Sequence, residues 1–154
     1  MIENYMKQAI KEGNKALQMD EIPVGCVIVY KNEIIGKGFN KKEDKKNSLM
    51  HAEIIAINQA CKKIGDWRLN ECEMYVTLEP CLMCLGAIIE SRIKKIYCGV
   101  INNKFHDLNS KISTAYQLDI EYNIMQSEIS EQLSLFFKKI RNKEKKNYFP
   151  GNNF

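Results

Sequence analysis

The stretch Val24–Tyr30 is the feature that most limits how this chain can fold. It carries no charged side chain and lacks the alternation of apolar and polar residues that a half-exposed strand would have. A short apolar run of this kind predicts a strand that is buried on both faces of its sheet. Helices must then cover the two faces of that sheet. We therefore expect a layered α/β fold.

The rest of the chain alternates between helix and strand patterns. Apolar spacing predicts helices near 2–19, 51–64, from 80 onward, and 129–146, and strands at 24–30, 33–40, 73–78, 95–100 and 119–126. The first two strands are separated by a short turn and should form a hairpin. Residues 101–118 fit neither pattern. We place residues 1–146 in a single domain and expect 147–154 to be a flexible tail.

Length and composition favour an ordinary soluble domain. The chain has 154 residues, of which 45% are hydrophobic and 27% are charged. No apolar run approaches the roughly 20 residues of a membrane helix. The first residues lack the pattern of a secretory signal, so we expect a cytoplasmic protein whose six cysteines are reduced. The net charge of +4 is compatible with an anionic partner, although nucleotide bias in the genome explains the many lysines equally well.

Two short motifs carry the chemistry of this sequence. They are His51-Ala52-Glu53 and Pro80-Cys81-Leu82-Met83-Cys84, and each lies where a helix is predicted to begin. Two cysteines three residues apart share one face of a helix, and the positive end of the helix favours their thiolates. With His51 as a third ligand, one coordination position stays open, which is typical of catalytic zinc. We predict one zinc ion per chain.

Glu53 follows His51 by two residues, which places its carboxylate near the metal without making it a ligand. That position suits a proton shuttle beside a zinc ion that makes hydroxide available near neutral pH.

A redox pair and a structural zinc site are the alternatives for Cys81 and Cys84. The chain has no thioredoxin-like surroundings and no second Cys-x-x-Cys motif, whereas His-x-Glu with Pro-Cys-x-x-Cys is the signature of zinc deaminases of nucleobases.

Other notable residues have simpler interpretations. The remaining thiols are predicted to be buried, His106 to lie on the surface, and Trp67 to pack in the core. The last helix should point Ile129, Leu133, Phe136, Phe137 and Ile140 inward. Its end is rich in basic residues: Lys138, Lys139, Arg141, Lys143, Lys145 and Lys146. This cluster is either a solvated helix end or a phosphate-binding patch.

In its motifs the chain resembles the bacterial tRNA adenosine deaminases. The resemblance rests on Glu21-Ile22-Pro23-Val24-Gly25, Gly36-Lys37-Gly38-Phe39-Asn40, His51-Ala52-Glu53-Ile54, the block Tyr75–Cys84 with Gly86-Ala87, and Ser91-Arg92-Ile93. Two segments depart from the family pattern. Asn47-Ser48-Leu49-Met50 precedes the histidine, and residues 102–110 contain no glycine where the family has a glycine-rich loop.

The resemblance implies a three-layer cytidine-deaminase-like fold with a mixed five-stranded sheet, and a homodimer that binds the tRNA anticodon loop near its interface. It also implies conversion of the wobble adenosine to inosine. The implied zinc ligands are His51, Cys81 and Cys84, with Glu53 as the proton shuttle. The implied substrate contacts are Asn40 and the backbone around Ala52 and Pro80, and the implied RNA contacts are Lys138, Lys139 and Arg141.

Two other functions remain open from the sequence. A deaminase of free guanine or cytosine would keep every zinc residue and would need no basic helix. A noncatalytic zinc protein, which binds RNA or serves as a partner subunit, would have no use for the carboxylate of Glu53.

Overall fold

A computed structural model describes residues 1–148 of the chain, with side chains described up to residue 144. Helices and strands alternate along it. In chain order they are α1 (Ile2–Gln18), β1 (Gly25–Tyr30), β2 (Glu33–Phe39), α2 (Ala52–Ile64), β3 (Glu73–Leu78), α3 (Leu82–Glu90), β4 (Lys95–Val100), α4 (His106–Ala115), β5 (Asp119–Glu121) and α5 (Gln126–Tyr148).

The strands form one five-stranded sheet in the order β2-β1-β3-β4-β5. Strand β1 is antiparallel to both β2 and β3, whereas β3, β4 and β5 run parallel to one another. The sheet is therefore mixed, and the prediction of a five-stranded mixed sheet that begins with a hairpin is confirmed. No helix in the described part of the chain is long and apolar enough to cross a membrane.

The two faces of the sheet bury two separate hydrophobic clusters, as Val24–Tyr30 predicted. In β1, Cys26 and Ile28 point into one cluster, and Val27 and Val29 point into the other. Helices α2 and α3 pack on the first face, while α1 and α5 pack on the second. The three-layer arrangement therefore follows from one strand that is apolar on both sides.

Glycines in β2 bring helix α2 very close to the sheet. A Cβ atom at Gly38 would overlap the carbonyl oxygen of Ala52, and one at Gly36 would overlap the carbonyl oxygen of Ala56. The backbone of the first turn of α2 thus lies directly on the backbone of β2. This contact fixes where α2 begins, and with it the positions of His51 and Glu53.

The structure corrects several predictions about element bounds. Strand β5 ends at Glu121 rather than near residue 126, and the unassigned stretch contains α4. Helix α5 begins three residues earlier than predicted, at Gln126, and its backbone continues to Tyr148, so the first two positions of the predicted tail are helical. The rest of that tail, residues 149–154, lies outside the described residues. The single-domain assignment stays a prediction.

Three predictions about side-chain position are wrong. Trp67 is 50% exposed, because its ring lies against the guanidinium groups of Arg68 and Arg92 at 4.4 and 5.4 Å on the surface. Phe137 is also 50% exposed. Phe136 takes the buried position, and Phe137, about 100° further round the helix, lies at the surface. Of the thiols predicted to be buried, Cys61 is only half-buried.

Candidate metal centre

The two motifs lie close together because the strands that precede them, β2 and β3, run in the same direction. Strands β2 and β3 both run antiparallel to β1, so their carboxyl ends lie at the same edge of the sheet. Helices α2 and α3 follow these two ends. His51 and Cys81 occupy the residues immediately before the two helices, both in extended conformation. Cys84 lies one turn into α3 and faces the same point as Cys81.

The predicted ligand atoms converge. The Nδ1 atom of His51 lies 3.7 Å from Sγ of Cys81 and 3.6 Å from Sγ of Cys84. All three atoms lie within 4.8 Å of one another. An imidazole nitrogen and two sulfurs in this arrangement are a donor set that suits zinc. These residues therefore fit the zinc ion that the sequence predicts.

The local electrostatics favour a thiolate at this point. Interaction with the Cys84 thiol, together with the neighbouring His51, lowers the pKa of Cys81 to about 4. The pKa of Cys84 is raised by the same interaction and by its burial, so Cys81 is the thiol that ionises first. A thiolate is the form that binds metal, and Cys81 supplies it at neutral pH.

Glu53 lies beside the ligands in the first turn of α2, and only 3% of the residue is exposed. Its burial raises the pKa of the carboxyl group to about 6. Its Oε2 atom lies 3.5 Å from Sγ of Cys84. The carboxylate thus lies next to the three grouped atoms that could hold a metal ion, without being one of them.

A cavity of about 190 Å³ opens onto this group. The described residues around it are Ile22, Val24, Asn40, Lys42, His51, Ala52, Glu53, Leu78, Glu79, Cys81, Asn102 and Phe105. Its lining combines apolar residues with polar ones, as is common in sites for small molecules.

Two of the three predicted substrate contacts line the cavity, and the third does not. Asn40 and Ala52 line the cavity. The Nδ2 atom of Asn40 donates to Oε2 of the buried Glu21 at 3.3 Å, which holds the amide in place. Pro80 is buried and does not line the cavity, and its carbonyl oxygen accepts a hydrogen bond from Asn109.

The predicted RNA contacts lie away from the cavity on the exposed side of α5. Lys138, Lys139 and Arg141 are all exposed. Lys139 forms an ion pair with Asp20 at 2.7 Å, and Lys143 contacts the other oxygen of the same carboxylate at 3.0 Å. These pairs anchor the end of α5 to the end of α1.

Sequence reasoning missed Glu79 and the segment that surrounds it. Glu79 lines the cavity, and its buried carboxylate contacts His106, which is half-buried rather than a surface residue. A charged residue at the end of a buried strand was the available signal. The partners could not be found because they come from 101–118, where no element was predicted.

Comparison with known proteins agrees with this geometry. Residues 1–100 match the family model of the cytidine and deoxycytidylate deaminase zinc-binding region. The tRNA-specific adenosine deaminase of Bacillus subtilis (strain 168) is 39% identical over 149 residues, which cover 93% of this chain and 92% of that protein. The protein of the same name from Aquifex aeolicus (strain VF5) is 38% identical, covering 91% and 96% of the two chains.

Solved structures give the same grouping. One from a study of A-to-I editing by tRNA:A34 deaminases at the wobble position of transfer RNA superposes with a TM-score of 0.77 and 32% identity, covering 84% of this chain and 98% of that one. The guanine deaminase of Bacillus subtilis superposes with a TM-score of 0.63 and 32% identity, covering 73% and 74%. The chain therefore belongs to the zinc-binding cytidine and deoxycytidylate deaminase family and, within it, to the tRNA-specific adenosine deaminases.

Proposed function

We propose that this protein is a zinc-dependent hydrolase that converts adenosine to inosine in RNA, at the wobble position of a tRNA anticodon. One observation carries the proposal: Nδ1 of His51 and the sulfurs of Cys81 and Cys84 converge beside the buried Glu53, at the end of a cavity. The names of the relatives support the choice of substrate.

Each residue of the site has a role in this reaction. His51, Cys81 and Cys84 hold the metal, which when bound supplies the Lewis acidity that makes hydroxide available near neutral pH. Glu53 accepts one proton of the attacking water and delivers it to the ring nitrogen next to the reacting carbon. It then takes the proton of the hydroxyl group newly bonded to that carbon and passes it to the amine, which leaves as ammonia while the carbonyl forms. Asn40, held by Glu21, contacts the nucleoside, and the backbone of Ala52 positions the base.

The cavity sets the form of the substrate. It is far too small for a folded RNA, so only a single base can reach the metal end. The target base must therefore leave its stack, which costs less in a loop than in a duplex. Phosphates of the same RNA would bind the exposed Lys138, Lys139 and Arg141. An RNA substrate also supports the expectation that the protein works in the cytoplasm.

The surface of α3 supports a homodimer. Leu82 is exposed, and a Cβ atom added at Gly86 would meet no atom within 4 Å. Helix α3 has no acidic residue in its first turn and no basic residue in its last turn. A second copy of the chain, packed on this face, would cover the exposed Leu82 and the open surface at Gly86, next to the metal ligands.

A deaminase of free bases is the second candidate, and it is supported by the 32% identity to a guanine deaminase over 73% of this chain. The deciding experiment incubates zinc-loaded protein with total tRNA and, separately, with adenine, guanine and cytosine. Mass spectrometry then detects inosine in tRNA, or free hypoxanthine, xanthine and uracil, with a Glu53→Ala variant as the inactive control. Inosine in tRNA supports the proposal.

The other outcomes separate the rivals. Xanthine or uracil without inosine in any tRNA would assign the protein to the free-base deaminases. RNA binding with no product from any substrate would make it a noncatalytic zinc protein. The buried, unligated carboxylate of Glu53 argues against this last possibility, because a carboxylate is costly to bury and a purely structural site has no use for it.

A further inference from the structure

We infer that Glu79 is a positioning residue, which fixes the start of α4 so that Phe105 forms one wall of the base pocket. The inference rests on the proposed function, because it assigns the pocket to a planar base. It concerns the segment after residue 100, which lies beyond the part of the chain that matches the family model.

The first observation is the burial of the Glu79 carboxylate. None of its side-chain surface is exposed, and no lysine or arginine contacts it among the described residues. A carboxylate in such a place is tolerated only when hydrogen bonds replace the water it has lost. Its partners are therefore essential to the local structure.

The second observation is where those partners come from. Oε1 of Glu79 accepts the backbone N–H of Asn102 at 3.1 Å and lies 3.0 Å from Nδ1 of His106. Oε2 accepts Nδ2 of Asn109 at 3.3 Å and the hydroxyl of Tyr122 at 3.2 Å. All four donors lie in the segment 102–122, so one carboxylate holds the start of α4, its first turns and the residue after β5.

The third observation links this network to the metal centre. Asn109 Nδ2 also donates to the carbonyl oxygen of Pro80 at 2.7 Å, directly before the ligand Cys81. The His106 ring packs edge-on against the Tyr122 ring, with centroids 5.1 Å apart. The network is thus tied to the ligand loop on one side and to β5 on the other.

This network holds Phe105 in position at the cavity. It occupies the position immediately before α4, between the Glu79 partners Asn102 and His106, and it lines the same cavity as His51 and Glu53. Single-stranded bases are commonly held by stacking on aromatic side chains. Phe105 is therefore placed to contact the base, and Glu79 acts through it.

The test is a double-mutant cycle of Glu79→Gln and Phe105→Leu in the zinc-loaded full chain. Each single change should raise the KM for an anticodon stem-loop at least about fivefold, with kcat and zinc content little changed, because the metal ligands and Glu53 stay in place. The double variant should be no worse than the poorer single one. Additive effects would mean that Glu79 does not act through Phe105.

A second measurement does not depend on any substrate. Hydrogen exchange of the backbone amides at 102–110 should be faster in Glu79→Gln, with α1 and α5 unchanged. Because Glu79→Gln is itself buried and can fail to fold, His106→Ala serves as a milder variant that removes one donor from the half-exposed side. The control is Glu12→Gln, which alters another buried carboxylate that does not line the cavity.

The outcomes distinguish this inference from the proposed function. If the wild-type protein deaminates a free base instead, KM is measured with that base and the same cycle applies. If it deaminates nothing, the proposed function fails and the exchange data alone decide. Wild-type exchange at 102–110 in both variants, or faster exchange along the whole chain, would overturn the positioning role.

Discussion

The Sγ atom of Cys84 lies 3.5 Å from Oε2 of Glu53, so that a ligand from α3 touches the proposed proton carrier from α2. The two helices begin at the same edge of the sheet, and this contact joins their first turns. In the proposed mechanism, metal binding and proton transfer belong to neighbouring atoms of different residues, so we expect mutation to separate the two.

Glu53→Gln should keep the metal and lose the reaction. The amide preserves the size of the side chain but cannot carry a proton, and a positioned acid–base group contributes at least about 10²-fold to the rate. Zinc content and kcat are measured on the same sample, with the exposed Glu90→Gln as the control. Loss of zinc would make Glu53 a ligand, and retained activity would contradict its role.

Cys81→Ser and Cys84→Ser should each abolish stable zinc binding. Each variant removes one of the three predicted ligands. The wild-type protein should contain about one zinc per chain when it is purified without chelator. Metal analysis of folded protein checks this, and Cys61→Ser, at a half-buried thiol outside the site, provides the control. A wild-type protein that is folded and reduced but free of zinc would refute the metal centre.

Gly38→Ala should lower the free energy of unfolding and weaken zinc binding, although Gly38 is not part of the site. The added Cβ would overlap the carbonyl oxygen of Ala52, which forces the first turn of α2 away from the sheet. Overpacking of this kind costs about 1–3 kcal/mol of unfolding free energy. Denaturant unfolding and zinc titration should both show a loss, whereas Lys37→Ala, at the exposed neighbouring position, should show neither. Equal stability of the two variants would contradict the close packing of α2 on β2.

The basic end of α5 should make RNA binding sensitive to salt. Replacing Lys138, Lys139 and Arg141 together by alanine should raise the KM for an anticodon stem-loop and flatten the salt dependence by about 0.7–0.9 in log–log slope for each lost phosphate contact. Zinc content should not change, because these residues lie away from the cavity.

The matched control for this charge change is Lys62, Lys63 and Lys94, all replaced by alanine. It removes the same charge from exposed positions, and Lys63 is ion-paired to Glu33 as Lys139 is to Asp20. This variant should keep the wild-type salt slope. The same slope in both triple variants would leave α5 as a solvated helix end.

Gly86→Lys should separate the proposed dimer without unfolding the monomer. A side chain at Gly86 meets open space within one chain, but it would place a charge in the interface of two chains packed through α3. Light scattering after size exclusion measures the mass, and circular dichroism confirms the fold. A wild-type protein that is monomeric at micromolar concentration would refute this dimer.

The sequence predicted the sheet and the metal centre well because both depend on local patterns. The bounds 73–78 and 95–100 match β3 and β4, since each is a short apolar run between polar residues. The predicted ligands His51, Cys81 and Cys84 converge because they lie at helix starts, and both helices begin at the sheet edge where β2 and β3, on either side of β1, have their carboxyl ends.

Other features depend on distant contacts that no local pattern reveals. Helix α4 buries few residues, among them Asn109 and Ser113, so it has no apolar stripe to recognise. Trp67 was predicted to pack in the core because no local pattern shows that its ring lies against the guanidinium group of Arg92 at the surface. The role of Glu79 was hidden for the same reason, since its donors follow it by more than 20 residues.

The Glu79 network also has a consequence for protein engineering. The carboxylate belongs to residues 1–100, which match the family model, whereas all four of its donors come from the segment behind them. A chimera joined after residue 100 would keep the acid and exchange its donors. Unless the new segment brought its own N–H and O–H groups to this point, a buried charge would be left unsatisfied at a cost of several kcal/mol. Grafts between family members should therefore be joined before Glu79, or should carry residues 102–122 with them.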